Sequence, residues 1–136
     1  MVKEKIIFVS GKRKSAVAKV KIMLGNGQIL YNSRPYKELQ MFHKLALLEP
    51  VKIAEDTLNS FGFNAEIRTS GGGKESQIQA ARLGLAKALV KFTNNPALRK
   101  AFLDYDRHLL VADVRRKESY KPGDSKARAK RQKSYR

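Results

Sequence analysis

Hydrophobic and polar positions alternate through the N-terminal part of the chain and then change to a helical spacing. Lys5 to Val9 reads as a short buried strand, followed by the turn Ser10-Gly11-Lys12-Arg13-Lys14-Ser15. Beyond the turn, Ala16, Ala18, Val20, Ile22 and Leu24 fall on one side, and Val17, Lys19, Lys21 and Met23 on the other. That period of two, with lysines outward, predicts a half-buried strand. Gly25-Asn26-Gly27 predicts a type I′ hairpin turn, because Asn and Gly tolerate positive φ. Gln28 to Tyr31 is then the return strand. The predicted start of the fold is an antiparallel meander with a basic turn at one end.

Asn32-Ser33-Arg34-Pro35 breaks this sheet. Tyr36, Leu39, Phe42, Leu45, Ala46 and Leu48 have helical spacing, and Pro50 sits where a second helix begins. Val51, Ala54, Leu58 and Phe61 form the buried side of that second helix, and Gly62 ends it. Phe63, Ala65 and Ile67 alternate with Asn64, Glu66 and Arg68, which predicts a strand from Phe63 to Ser70. Thr69-Ser70-Gly71-Gly72-Gly73-Lys74 leads into a helix from about Glu75 to Thr93. Its apolar stripe is Ile78, Ala81, Leu85, Ala88, Leu89 and Phe92, and Arg82, Lys87 and Lys91 lie on its wet side. A short helix from Pro96 to Leu103 and a last strand from Leu109 to Ala112 complete the pattern. The order β-β-β-α-α-β-α-α-β predicts an α+β fold, a mixed four- to five-stranded sheet with helices on one face.

The periodicity stops at about Asp113, and charge changes the picture from there. Arg115 to Arg136 holds ten Lys or Arg against Glu118 and Asp124, so 22 residues carry +8 of the chain's net +17. From Val114 onward there is no Leu, Ile, Met or Phe. Such a segment cannot offset an ordering entropy of about 1–2 kcal/mol per residue by packing on itself. Alone it is expected to be disordered, and a dense polyanion is expected to shape it. The reading is one globular domain, residues 1–114, that positions an extended basic tail, residues 115–136. Fully extended, the tail spans at most about 70–75 Å. Nucleic acid is the expected partner. A membrane surface is not, because the tail lacks the large apolar residues of an interfacial helix and no run is long enough to span a bilayer. The chain has no Cys, which excludes disulfides and thiolate sites and fits a cytosolic protein.

Enzyme chemistry finds little support. His43 and His108 are far apart, and nothing in the sequence ties either to a Ser or a carboxylate, so no catalytic residue is assigned. No metal site or cofactor is expected. Asp104, Asp106 and Asp113 read as a capped, solvated turn. The glycine run before Lys74 is not a nucleotide-hydrolase loop: Arg68 stands where the first Gly belongs, and Glu75 where Ser or Thr belongs. Two readings of Gly71, Gly72, Gly73 and Lys74 stay open, a phosphate site at a helix start and a plain strand-to-helix turn needing positive φ. Lys12, Arg13 and Lys14 are expected to touch phosphates. In the tail, Arg115, Arg116, Lys117, Lys121, Lys126, Arg128, Lys130 and Arg131 are spaced by small or polar residues, and Tyr120 and Tyr135 can stack on bases.

The chain resembles the universal small-subunit ribosomal protein family S nine. The similarity is carried by Gly11-Lys12-Arg13-Lys14-Ser15-Ala16-Val17-Ala18, by Gly25-Asn26-Gly27 and by Asn32-Ser33-Arg34-Pro35. It continues through Gly71-Gly72-Gly73 with Gln77, Ala80, Arg82 and Ala86-Lys87-Ala88-Leu89, then Asp113-Val114-Arg115-Arg116-Lys117. The ending, Lys126-Ala127-Arg128 and Gln132-Lys133-Ser134-Tyr135-Arg136, is similar to the archaeal and eukaryotic branch, as are Tyr105-Asp106-Arg107 and Leu109 to Asp113. The resemblance implies a fold similar to the second domain of ribosomal protein S five, with a left-handed β-α-β crossover. It implies a structural role in the head of the small ribosomal subunit in the cytoplasm, among neighbouring head proteins. Arg34 and Arg82 would join the rRNA contacts. The tail would run through rRNA toward the peptidyl-site tRNA, with Arg136 nearest the tRNA and Lys133 and Tyr135 behind it. Tyr135 stands where bacterial members have Lys, either as a stacking group or as a spacer. The alternative reading is a free-standing single-stranded RNA binder or RNA chaperone, which would want an aromatic-rich sheet face.

Overall fold

The computed structural model describes residues 4–130 and 132–135 of the chain. Five strands form one mixed sheet: β1 (Ile7–Arg13), β2 (Ala16–Leu24), β3 (Ile29–Tyr31), β4 (Arg34–Pro35) and β5 (Phe63–Ser70). The helices are α1 (Met41–Leu58), α2 (Lys74–Thr93) and α3 (Pro96–Tyr105), with single 3₁₀ turns at Tyr36–Glu38 and Arg107–Leu109. The spatial order is β1-β2-β5-β3-β4. Beside the two antiparallel ladders on β2, β3 runs parallel to β5, so β3-α1-β5 is a β-α-β unit of adjacent strands.

The alternation in β2 works as its sequence requires. Ala16, Ala18, Val20 and Ile22 are buried, whereas Leu24, at the strand end, is exposed. β1 is longer than expected and absorbs Lys12 and Arg13, leaving Lys14-Ser15 as a two-residue hairpin turn with Lys14 at φ 54°. Gly11 faces α2 at very short range. A Cβ there would lie 2.2 Å from the Ala80 carbonyl oxygen and 2.7 Å from the Gly84 nitrogen. Only the pairing of these two glycines lets helix and strand backbones approach so closely.

The expected meander is corrected. β3 is not the partner of β2, because β5 lies between them along an eight-residue register from Val17↔Ser70 to Leu24↔Phe63. The Gly25-Asn26-Gly27 segment does not close on itself. Gly25 N–H donates to the Gly62 carbonyl at 3.0 Å, and the Asn64 side-chain oxygen accepts from Asn26 N–H and Gln28 N–H, each at 3.0 Å. The tight turn comes later, where Asn32 and Ser33 both have positive φ and join β3 to β4. Asn32 is held to Thr69 by two side-chain bonds of 2.9 Å. The segment expected to break the sheet thus forms its edge hairpin.

α1 is also one helix rather than two. Pro50 lacks an N–H to continue the ladder, yet Leu47, Pro50, Val51 and Ala54 are buried together at helical spacing. Breaking the helix at Pro50 would take half of that stripe off the core. The helix ends at Leu58, with Asn59 in the left-handed region, ahead of Gly62. The last expected strand, Leu109 to Ala112, is absent. Leu109 closes the second 3₁₀ turn and is fully buried, anchoring the chain before the tail leaves. β4, not this segment, supplies the fifth strand. α2 packs on β1, β2 and β5, and α1 and α3 pack beside it, so the helices cover one face of the sheet. The other face is open.

Candidate nucleic-acid interface

The β1–β2 hairpin tip and the root of the tail meet. Lys12, Arg13, Lys14 and Ser15 line one wall of a cleft of about 830 Å³, and Arg115, Arg116 and Lys117 line the other. Residues far apart in sequence thus place six cations around one depression. Asp113 holds the walls together. Its carboxylate, only 9% exposed, pairs with the Arg13 guanidinium. It also accepts from Arg115 Nη2 at 2.7 Å and from the Arg115 backbone N–H at 2.9 Å. Arg116 Nη1 donates to the backbone carbonyls of Asp113 at 3.1 Å and Arg115 at 2.9 Å. One carboxylate against six cations leaves a strongly positive concavity, whose arginines are oriented by protein contacts. Such a cleft suits phosphates, which guanidinium groups grip in pairs and lysines attract as point charges.

The glycine run abuts this cleft. Gly71 and Gly72 have φ of 73° and 62°. A Cβ on Gly71 would meet the Ser15 carbonyl oxygen at 2.6 Å, and one on Gly72 would meet the Ala16 methyl at 3.0 Å. The turn reading therefore accounts for both. Gly73 is different, with open space around it and no side-chain cap over the start of α2. Lys74 is exposed at the first helical position, so the uncapped N–H groups and a cation lie beside the basic hairpin. Glu75, in the same turn, pairs with His43 Nε2 at 2.8 Å.

Two expected contact residues are not part of this cluster. Arg82 is 9% exposed inside the fold. Its guanidinium donates to Glu49 at 2.6 Å and to Asp106 at 3.2 Å, clamping α1, α2 and the turn after α3. The helical wheel placed Arg82 on the wet side because it could not show that α1 and the Asp106 turn cover that side. Arg34 is exposed on β4, at the sheet edge opposite β1.

After the second 3₁₀ turn no described residue is helical or in a strand. Lys121, Lys126, Arg128, Lys130, Lys133 and Tyr135 are exposed. Arg131 and Arg136 lie outside the described residues. Arg128 pairs with Glu118 at 2.8 Å, and the Lys117 ammonium sits 4.5 Å from the centre of the Tyr120 ring.

Acid–base chemistry gains one correction. His43 is buried and tied to Glu75, a histidine–carboxylate pair that sequence spacing did not reveal. Among the described residues no group of three or more His, Asp or Glu is placed to hold a metal ion. Asp106 is instead committed to Arg82 and His108. Burial pushes its pKa up, but the His108 backbone N–H and the bond and charge of Arg82 outweigh that and hold it below the ordinary value. Among the described residues no helix is long and apolar enough to cross a membrane.

Two further basic surfaces join outward lysines that the sequence pattern shows to residues it does not place beside them. Lys87, Lys91 and Arg99 border a cleft of about 410 Å³ where α2 meets α3. Lys19, Lys21 and Arg68, with Glu66, line a recess beside Phe8 on the open sheet face. The outward lysines of β2 were legible from alternation. Phe8 was hidden inside an apolar run, and the parity of β1 is what turns it outward.

The sequence matches the family model described as Ribosomal protein S9/S16 over residues 11–136. It is similar to the Small ribosomal subunit protein uS9 of Methanococcus vannielii, with 42% identity over 135 residues, 97% of this chain and 99% of that protein. The protein of the same name from Methanococcus maripaludis strain C7 matches with the same identity and coverage.

Proposed function

This chain belongs to the ribosomal protein S9/S16 family, and from that premise we propose that it is a structural, non-enzymatic constituent of the small ribosomal subunit that binds rRNA. The observation that carries the reading is the cleft between Lys12, Arg13 and Lys14 and Arg115, Arg116 and Lys117. Six cations around one concavity offer more positive charge than a single small anion would need and suit several phosphates of a backbone. Contacts of this kind fix position on RNA and are insensitive to base sequence. Gly73 and Lys74 extend the same surface by offering free N–H groups at a helix start.

In this reading the cleft also sets where the tail begins. Asp113 ties the root of the tail to β1, so the arm leaves in a defined direction. Lys121, Lys126, Arg128, Lys130 and Arg131 then follow rRNA, and Lys133, Tyr135 and Arg136 reach toward the peptidyl-site tRNA. Neighbouring head proteins of the cytoplasmic ribosome complete the surroundings. Arg82 has no place among the RNA contacts, because its charge is spent on Glu49 and Asp106.

Co-sedimentation tests this. The chain should remain with small subunits through a high-salt wash, and its release into the supernatant would argue against a structural role. Removing residues 133–136 should preserve assembly while weakening peptidyl-site tRNA. Loss of assembly would make the tip an rRNA anchor instead.

A further inference from the structure

The helix-free face of the sheet carries a strongly exposed aromatic beside a strip of charge, with the partly exposed Val17 and Met23 on the same face of β2. Phe8 on β1 is 69% exposed. Directly across the ladder from it is Lys21, and Lys19 is the cross-strand partner of Ser10 two positions further on. One strand beyond, Arg68 lies opposite Lys19 and Glu66 opposite Lys21. Glu66 is engaged by Arg68, whose Nε and Nη2 donate to one carboxylate oxygen at 3.1 and 2.9 Å. Among the described residues neither Lys19 nor Lys21 has an ion-pair partner. These side chains border a recess of about 330 Å³.

An isolated exposed Phe is unremarkable on its own. Its setting is what carries weight. Neighbours on adjacent strands stand about 5 Å away when opposite and 7–8 Å when diagonal, so the Lys21 and Lys19 ammonium groups are within reach of the ring from β2. Protein–protein contacts concentrate aromatics where charges are depleted, and here the aromatic, on the edge strand β1, has Lys21 directly opposite and Lys19 and Arg68 on the same side of it. A stacking ring within a positive groove is instead the pattern of single-stranded nucleic-acid platforms.

Resting on the RNA-binding reading above and adding to it, we infer that the open sheet face is a second RNA site, separate from the hairpin cleft. It takes an unpaired nucleotide, whose base stacks on Phe8 and whose flanking phosphates lie on Lys19, Lys21 and Arg68. The cleft grips backbone, and this face selects unpaired over paired RNA. One protein thereby distinguishes a bulge or loop from a duplex without reading base edges.

The chain contains no Trp, so Phe8→Trp installs a unique fluorophore at the site. Titration of this variant, as the full chain, with a ten-nucleotide single-stranded RNA should quench its emission. Phe8→Ala should weaken binding of that RNA about 5- to 150-fold, and binding of an RNA duplex less than twofold. Unquenched Trp emission at saturating RNA, with Phe8→Ala binding both RNAs normally, overturns the site and leaves the cleft reading standing. Emission that responds to poly-glutamate but not to RNA overturns it in favour of an acidic protein partner. Failure of the unaltered chain to bind either RNA overturns this site and the RNA-binding reading together.

Discussion

Arg13 at the end of β1 and Asp113 at the root of the tail form an ion pair across the mouth of the basic cleft. It is the contact that converts a charged hairpin and a charged tail into one surface. The Asp113 side chain is 9% exposed and also receives Arg115. Asp113→Asn should leave two guanidiniums without their counter-charge and lower stability by about 1.5–3 kcal/mol, the usual worth of hydrogen bonds to a charged group. Arg13→Ala should have a similar effect. The double variant should lose less than the sum, because the two residues share one interaction. Urea unfolding of the three variants measures this, and strict additivity would mean that the pair is not coupled.

Arg82 is predicted to act on stability and not on RNA. Arg82→Met keeps most of the volume and strands Glu49 and Asp106. Both carboxylates keep some contact with water, so the loss should be about 1–3 kcal/mol, below the range for a fully buried pair. RNA affinity, measured by titration where the variant is still folded, should change less than twofold. A tenfold loss would return Arg82 to the contact surface.

The same cluster sets an acid response. Asp106 has a lowered pKa in the fold, so the unfolded chain binds this proton more readily than the native one. Unfolding free energy therefore rises with pH where the group titrates. The stabilisation is fully present above the ordinary carboxylate value near 4, and it is lost as pH falls through the lower, native value. Asp106→Asn should lack this component. The stability gap between wild type and variant should be open at pH 6 and narrow progressively below about pH 4. A gap independent of pH would show that the fold does not favour the ionised Asp106 carboxylate.

Gly11 should be the least replaceable residue of β1. A methyl group there meets backbone atoms of α2 rather than a movable side chain, so neither element can relax alone. Gly11→Ala is expected to destabilise by about 1–3 kcal/mol or more through overpacking, read as a drop in thermal midpoint. Unchanged stability would mean that α2 sits further from β1 than described.

Much of this architecture was legible in the sequence. β2, β5 and α2 have strong periodicity, and the structure keeps them nearly where the pattern put them. Strand order was not legible, because Gly25-Asn26-Gly27 looks like a closed hairpin until Asn64, remote in sequence, takes its N–H groups. Pro50 misled for a related reason, since local chemistry favours a break and tertiary burial overrides it. The resemblance to the small-subunit family, archaeal and eukaryotic branch, agrees with the relatives from Methanococcus. Of the candidate site, the basic hairpin and the tail could be picked out by charge. Their meeting through Asp113, the withdrawal of Arg82 into the fold and the exposure of Phe8 could not, because each depends on which elements pack together.

The central claim is that the cleft formed by the hairpin tip and the tail root neutralises RNA phosphates. The salt dependence of affinity for a duplex RNA fragment tests it most directly. The slope of log affinity against log salt should be several units in the wild type. Replacing Lys12, Lys14 and Lys117 together by Ala should reduce it by about 2–3 units, near 0.9 per lost phosphate contact. A slope that is flat in the wild type, or unchanged in the triple variant, would contradict the account.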